Sequence, residues 1–363
     1  MKMAIAGAGL LGRLLAFRLA SAGHDVEVFD PAAHAEARGA AGWTAAGMLC
    51  PVAELQCADE NVFAMGLRSL ELWPEIAGQL GLPVEVKREG SLLFAHRGDE
   101  GAAARSIDFL TRKAPKGFEP QALTMEQVRE LEPSVRGPAH AWMLPGEGRI
   151  HTVQAMHALA AAATSAGARW CWSTSVERLE PGALWANGER LAYDWVFDAR
   201  GVGAKPELPV RGVRGEVFTL HAPGLAIHRP LRLLHPRFAV YIVPRAGDQV
   251  VVGASEIEAE DRSPVSLRTT VELLSAAHSV VPELAEARIV HADANLRPAM
   301  PDNLPVIDVK DGIVRVNGLF RHGWLIAPAV VESALCHAGL DPASSAAFDQ
   351  APPGLRVKPA MTT

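Results

Sequence analysis

Three glycines near the start of the chain, Gly7, Gly9 and Gly12, stand in the run Gly-Ala-Gly-Leu-Leu-Gly, and Asp30 lies eighteen residues after the last of them. Gly7 suits a tight turn, Gly9 lets the backbone approach a pyrophosphate, and Gly12 lets a helix pack closely on a sheet. A helix opening at Leu10 and Leu11 offers unpaired N–H groups to phosphate oxygens. A carboxylate at Asp30 can accept from both ribose hydroxyls and would repel a 2′-phosphate. This set binds a dinucleotide without separating NAD from FAD. Two other residues stand out by type. Arg297 lies in a Pro-rich, mostly uncharged stretch; its guanidinium could grip a carboxylate through paired hydrogen bonds or serve a structural ion pair. Tyr241, one of two tyrosines, sits in an alternating apolar run, either as a core aromatic or as a hydroxyl donor. Among thirteen histidines, including His151 and His322, none has a nucleophile or metal companion that would make it a base.

Elements must hold these residues in place. Apolar periodicity predicts a strand over residues 3–6, a helix over 10–22 stopped by Gly23, and a strand over 26–29 closed by Asp30. A helix is expected over 62–80, with Pro74 as a kink point. Residues 87–148 mix short strands with polar helix. Thr152 is expected to cap a helix through residue 163, and 195–198 reads as a buried strand. Residues 240–243 and 250–253 read as a hairpin, and 313–316 as a late strand. A last helix is expected over 329–338, with Pro328 in its first turn. Residues 341–363 read as a poorly ordered tail.

The chain has 363 residues, 49% of them hydrophobic and 21% charged, room for about two domains. A formal net charge of -6 disfavours a nucleic-acid partner, with Arg229 and Arg232 taken as local basic spots. Cys50, Cys57, Cys171 and Cys336 are too scattered for a disulfide framework or a zinc site. No run approaches the ~20 apolar residues of a membrane span, and the apolar start lacks a cleavage site. A cytoplasmic enzyme with no integral membrane association and no metal is the expectation.

Several longer segments resemble the D-amino-acid oxidase superfamily, most closely its thiamine-pathway glycine oxidases. Residues 44–51, Thr-Ala-Ala-Gly-Met-Leu-Cys-Pro, are similar to that family's Ala-Ala-Gly-Met-Leu segment. Asp198-Ala-Arg-Gly201, Tyr241-Ile-Val-Pro-Arg245, Asn295-Leu-Arg-Pro-Ala-Met-Pro-Asp302 and Phe320-Arg-His-Gly-Trp-Leu-Ile-Ala-Pro328 resemble further family segments in family order. The resemblance implies an α/β fold: a Rossmann-like FAD-binding domain of glutathione-reductase type with an antiparallel or mixed-sheet α+β substrate domain. It implies FAD segments at 1–80, 149–205 and 290–340 and substrate segments at 81–148 and 206–289. FAD contacts are implied for Ala46, Gly47, Met48, Val176, Gly201, Arg321, His322, Gly323, Trp324 and Leu325, beside the nucleotide turn. Arg297, Tyr241 and Arg321 are implied as substrate-binding residues.

The implied chemistry is oxidative deamination of a small amino acid (glycine, sarcosine or D-alanine). Hydride passes to the flavin, no catalytic side chain is obligatory, and imino acid or 2-oxo acid, ammonia and hydrogen peroxide result. Oxygen is the expected co-substrate and thiazole synthase a candidate recipient of the imine; homo-oligomerisation stays open. Alternatives are a quinone-linked D-amino-acid or secondary-amine dehydrogenase, or a flavin binder without turnover. The turn departs from the glycine-oxidase pattern, with Leu319-Phe320 before the arginine and Trp324 after it. Cys336 lies beyond the position where sarcosine-oxidase relatives attach flavin, so the FAD is expected to be noncovalent.

Overall fold

The computed structural model describes residues 1–56, 58–234 and 240–340; the expected tail and Cys57 lie outside them. Its first unit is strand Lys2–Ala6, helix Leu10–Ser21 and strand Asp25–Phe29, close to the sequence expectation. Gly23 ends the helix in a left-handed conformation, its N–H donating to Ala20 O. The two strands pair in parallel within a six-stranded sheet. Trp195–Asp198 joins on one side and Arg169–Cys171 on the other. Ile313–Asn317 continues the parallel run, and Val306–Lys310 closes the edge antiparallel. Leu14 and Leu15 are fully buried beneath this sheet, where truncation of either to Ala costs about 2–5 kcal/mol.

The second large sheet has eight strands, from Arg288–Ala299 at one edge to Gln121–Leu123 at the other. It is antiparallel except where Leu231–Leu233 runs parallel to Ser91–Ala95. Side chains alternate across its faces with the period of two that strands impose. Phe218, Ile242, Val250 and Val252 pack with Leu273, Ala277 and Val280 of helix Leu267–Val280. Val217, Tyr241, Val243 and Val251 face the other way, toward Ala46 and Met48 of the nucleotide-binding half. Strand Met48–Leu49 joins the halves through Gly148–Ile150.

Four expectations need correction. Strand Arg288–Ala299 pairs along the whole of Arg211–His221 in the eight-stranded sheet, so residues 290–299 do not belong with the nucleotide sheet. The cap of helix Thr152–Ser165 is the His151 ring, which accepts from Gln154 N, while Thr152 Oγ1 donates to Ala45 O at 3.0 Å. The last helix runs Gly323–His337, so it starts six residues early and holds Pro328 in its interior. Pro328 has no N–H for the Trp324 carbonyl four residues back, and Trp73 Nε1 donates to that carbonyl instead at 2.8 Å. Arg232 is no surface spot: it is 5% exposed, on strand Leu231–Leu233. Helix Glu60–Gln79 runs through Pro74.

Candidate functional site

One cavity of about 1020 Å³ opens between the two large sheets. Every residue implied for cofactor or substrate lines it except Gly12. A Cβ on Gly12 would collide with the Gly7 carbonyl, so Gly12 serves helix packing rather than the ligand. Gly7 holds φ +101°, and a Cβ there would meet Ala199 O at 2.6 Å. Gly9 alone of the three faces open space, its nearest neighbour for a Cβ being Ala40 at 3.6 Å. No side chain caps the helix that starts at Leu10, so its first N–H groups stay available to phosphate oxygens. Asp30 ends its strand at the cavity wall, accepting from Ala8 N at 2.6 Å and Ala32 N at 2.8 Å. Val176 begins a three-stranded antiparallel sheet beside it.

Gly47 also has a backbone reason to be glycine. Its φ is +70°, and a Cβ would strike the Ile150 carbonyl and Thr152. The Ala46 carbonyl accepts from buried Arg245, which also holds the Ile150 carbonyl. Gly201 sits at φ +57° after Arg200, which pairs with buried Asp198 at 2.9 Å. At the far end His322 precedes helix Gly323–His337, whose start also lacks a side-chain cap. Trp324 is held aside: its ring stacks on Trp73 at 5.4 Å and its Nε1 donates to Gly42 O at 3.0 Å.

The end of the cavity expected to take substrate is built on the eight-stranded sheet. Arg297 Nη1 donates to Ser255 O at 3.0 Å and Arg214 O at 3.4 Å. It pairs with no carboxylate among the described residues. Gly215 on the adjacent strand leaves space for the guanidinium, which a Cβ would meet at 2.3 Å to 2.6 Å. Burial lowers the Arg297 pKa, partly opposed by Tyr241. Tyr241 stands over Gly253 of the paired strand, where a Cβ would meet its ring at 2.7 Å. Burial raises the Tyr241 pKa against the pull of Arg297 and Arg321, so the phenol keeps its proton as a donor.

Arg321 reaches the same end but is already engaged, 3.0 Å from Glu54 and 3.1 Å from Glu256. Glu54 also meets Arg232 at 3.2 Å and His322 Nδ1 at 3.2 Å. Burial alone would raise the Glu54 carboxyl, but Arg321, His322 and Arg232 hold it well below the usual carboxylate range. Glu54 Oε2 and His322 Nδ1, both buried, nevertheless complete no aligned hydrogen bond. Sequence reasoning missed Glu54, Arg232 and Glu256. An arginine inside the apolar run Leu231-Arg-Leu-Leu234 was the available signal for one of them.

The family model of FAD-dependent oxidoreductases, DAO, matches residues 2–332. The chain belongs to the DAO family of FAD-dependent oxidoreductases. It is 36% identical over 333 residues to a Rhizobium etli protein named as thiamine biosynthesis oxidoreductase ThiO, covering 91% of this chain and 94% of that one. The solved structure of glycine oxidase from Geobacillus kaustophilus matches with a TM-score of 0.79 at 28% identity, over 91% of this chain and 92% of that one. A bifunctional ThiO/ThiG protein of Trichormus variabilis is 28% identical over 344 residues, 89% of this chain and 50% of its own length. As a DAO-family enzyme the chain uses FAD, and its residues fit that group. The uncapped helix at Leu10, the open face of Gly9 and the carboxylate of Asp30 suit the pyrophosphate and ribose.

Proposed function

We propose that this DAO-family enzyme oxidises the amine of a small amino acid, glycine first and sarcosine or D-alanine next, with oxygen as acceptor. The observation that carries the reading is Arg297: a guanidinium in the wall of the cavity, beside Tyr241, whose partners among the described residues are carbonyls alone. A site with a spare guanidinium and a protonated phenol suits one carboxylate. Bound FAD supplies the two-electron acceptor. The chain's part is to hold the carboxylate on Arg297 and Tyr241 and so fix which face of the substrate meets the cofactor. Trp324, Phe320 and the sheet residue Val217 make the adjoining part of the cavity wall apolar. The amino acid loses two electrons and two protons to become the imino acid; oxygen takes both pairs as hydrogen peroxide. Water then releases ammonia and the 2-oxo acid from any imine that leaves.

The names of its relatives support a role in making the thiazole of thiamine. The fused ThiO/ThiG relative supports passage of the imine to a thiazole synthase. No helix among the described residues is long and apolar enough to cross a membrane; the cytoplasm is the setting we assign. The test is anaerobic addition of glycine, sarcosine and D-alanine to the purified holoenzyme. Bleaching of the flavin spectrum, followed by peroxide release on admitting air, is the expected outcome. An unbleached spectrum with all three would refute amino-acid oxidation, and bleaching without peroxide would assign the quinone-linked alternative.

A further inference from the structure

We propose that Glu256 sets the charge that a substrate side chain is allowed to carry, excluding amino acids with a second carboxylate. The proposal rests on the reading that Arg297 holds the α-carboxylate. Three arginines line the substrate end of the cavity: Arg232, Arg297 and Arg321. Arg232 is engaged by Glu54, and Arg321 lies between Glu54 and Glu256. Among the described residues two carboxylates thus answer two arginines, and Arg297 is left to take one carboxylate from outside.

The run that ends in Glu256 organises this arrangement. Gly253 makes room for the Tyr241 ring, the Ser255 carbonyl accepts from Arg297, and Glu256 engages Arg321 at 3.1 Å. Three consecutive features of one short stretch therefore place the donor, the clamp and the neutralised arginine. Glu256 is the outermost of the group, its side chain 40% exposed against 14% for Glu54. It stands where a substrate side chain extending from the clamp would reach Arg321. A second carboxylate arriving there would have to displace Glu256 and would still face the negative charge of Glu54. Discrimination of this kind is a built-in repulsion as much as an attraction.

The test compares partners that differ in charge and not in shape. D-Asparagine and D-aspartate are given to the holoenzyme, and flavin bleaching rates are measured. Malonamate and malonate, which cannot be oxidised at an amine, are titrated as competitors by the change in flavin absorption. In the wild-type enzyme the neutral member of each pair should be preferred. Glu256→Gln should shift both preferences toward the dicarboxylate by about tenfold, the factor that 1.4 kcal/mol commands. Glu256→Ala should shift them in the same direction, and Glu256→Asp, which keeps the charge, should not. Equal acceptance of both members by the wild type, or an unchanged ratio in Glu256→Gln with full flavin content, would overturn the proposal. If no amino acid bleaches the flavin but the malonate preference shifts as stated, amino-acid oxidation falls and the charge rule stands.

Discussion

Replacing Arg297 by Ala tests the substrate clamp, and the structure sets the size of the effect. The guanidinium donates to two neutral carbonyls, Ser255 O at 3.0 Å and Arg214 O at 3.4 Å, and to no carboxylate among the described residues. Truncation therefore orphans no charge in the free protein. The cost to folding is at most one unpaired carbonyl, Ser255 O, because Arg214 O still accepts from Ile257 N at 3.0 Å; that is about 1–3 kcal/mol, at the low end because the cavity admits water. The substrate complex is different. A carboxylate drawn into the cavity without Arg297 is a desolvated charge that has lost its partner, a loss of about 3–5 kcal/mol. That corresponds to a fall in kcat/KM of roughly 10²- to 10³-fold or more. Steady-state peroxide production with glycine reads the effect, alongside flavin content and a thermal melt. Arg297→Lys should recover little, since a point charge cannot reproduce the planar fork that Gly215 makes room for. An amine without a carboxylate is the control, and its slow turnover should hardly change. Equal loss on both substrates, or loss of FAD, would refute the clamp and make Arg297 structural.

Mild acid precipitation should leave FAD in the supernatant and a colourless pellet. Of the described cysteines only Cys50 lines the cavity, and burial raises its pKa, which keeps it a poor nucleophile. Asp30→Ala should weaken FAD binding to reconstituted apoprotein by about 1.5–3 kcal/mol, the scale of charge-assisted hydrogen bonds. Because Asp30 also accepts from Ala8 N and Ala32 N, Asp30→Asn is the companion variant, and unchanged FAD affinity in both would remove the acid from the ribose. For pH, burial and then Arg245 lower the His151 pKa to about 4. The unfolded chain takes that proton near pH 6.5, so stability falls as pH drops from 6.5 toward 4. His151→Asn, which can still cap the helix, should recover up to about 3 kcal/mol of the loss, read from urea midpoints at pH 7 and pH 4.

What could be read along the chain was whatever local chemistry dictates. The strand-glycine-helix-strand unit ending at Asp30 was legible because turn geometry, helix packing and phosphate access each constrain a residue within thirty positions. The hairpin carrying Tyr241 was legible from its period of two, and Arg297 from an arginine's isolation among prolines. The helix start at Gly323 was not, because Pro328 is a stop signal by local rules. Only the indole of Trp73, 251 residues away from the Trp324 carbonyl in the chain, makes that proline tolerable. The assignment of residues 290–299 failed for the same kind of reason. A strand's sheet is chosen by its partner, and nothing within Arg288–Ala299 announces Arg211–His221.

Charges at the substrate end make the limit sharper. A lone arginine in sequence offers a guanidinium but does not say whether that guanidinium is spent. Arg232 and Arg297 both lie on strands of one sheet and both line one cavity. They differ because Glu54, 178 residues from Arg232 and 267 from Arg321, comes to rest between those two and not beside Arg297. Short helix Pro51–Glu54 delivers it there, held by Glu147, which accepts from Ala53 N at 2.7 Å. The chemistry of the site therefore depends on a carboxylate whose role no local pattern records. The same reasoning says where the site would be altered most economically. On the reading proposed here, changing Arg297 removes the clamp, whereas changing Glu54 leaves the clamp in place and takes from Arg232 the carboxylate that engages it.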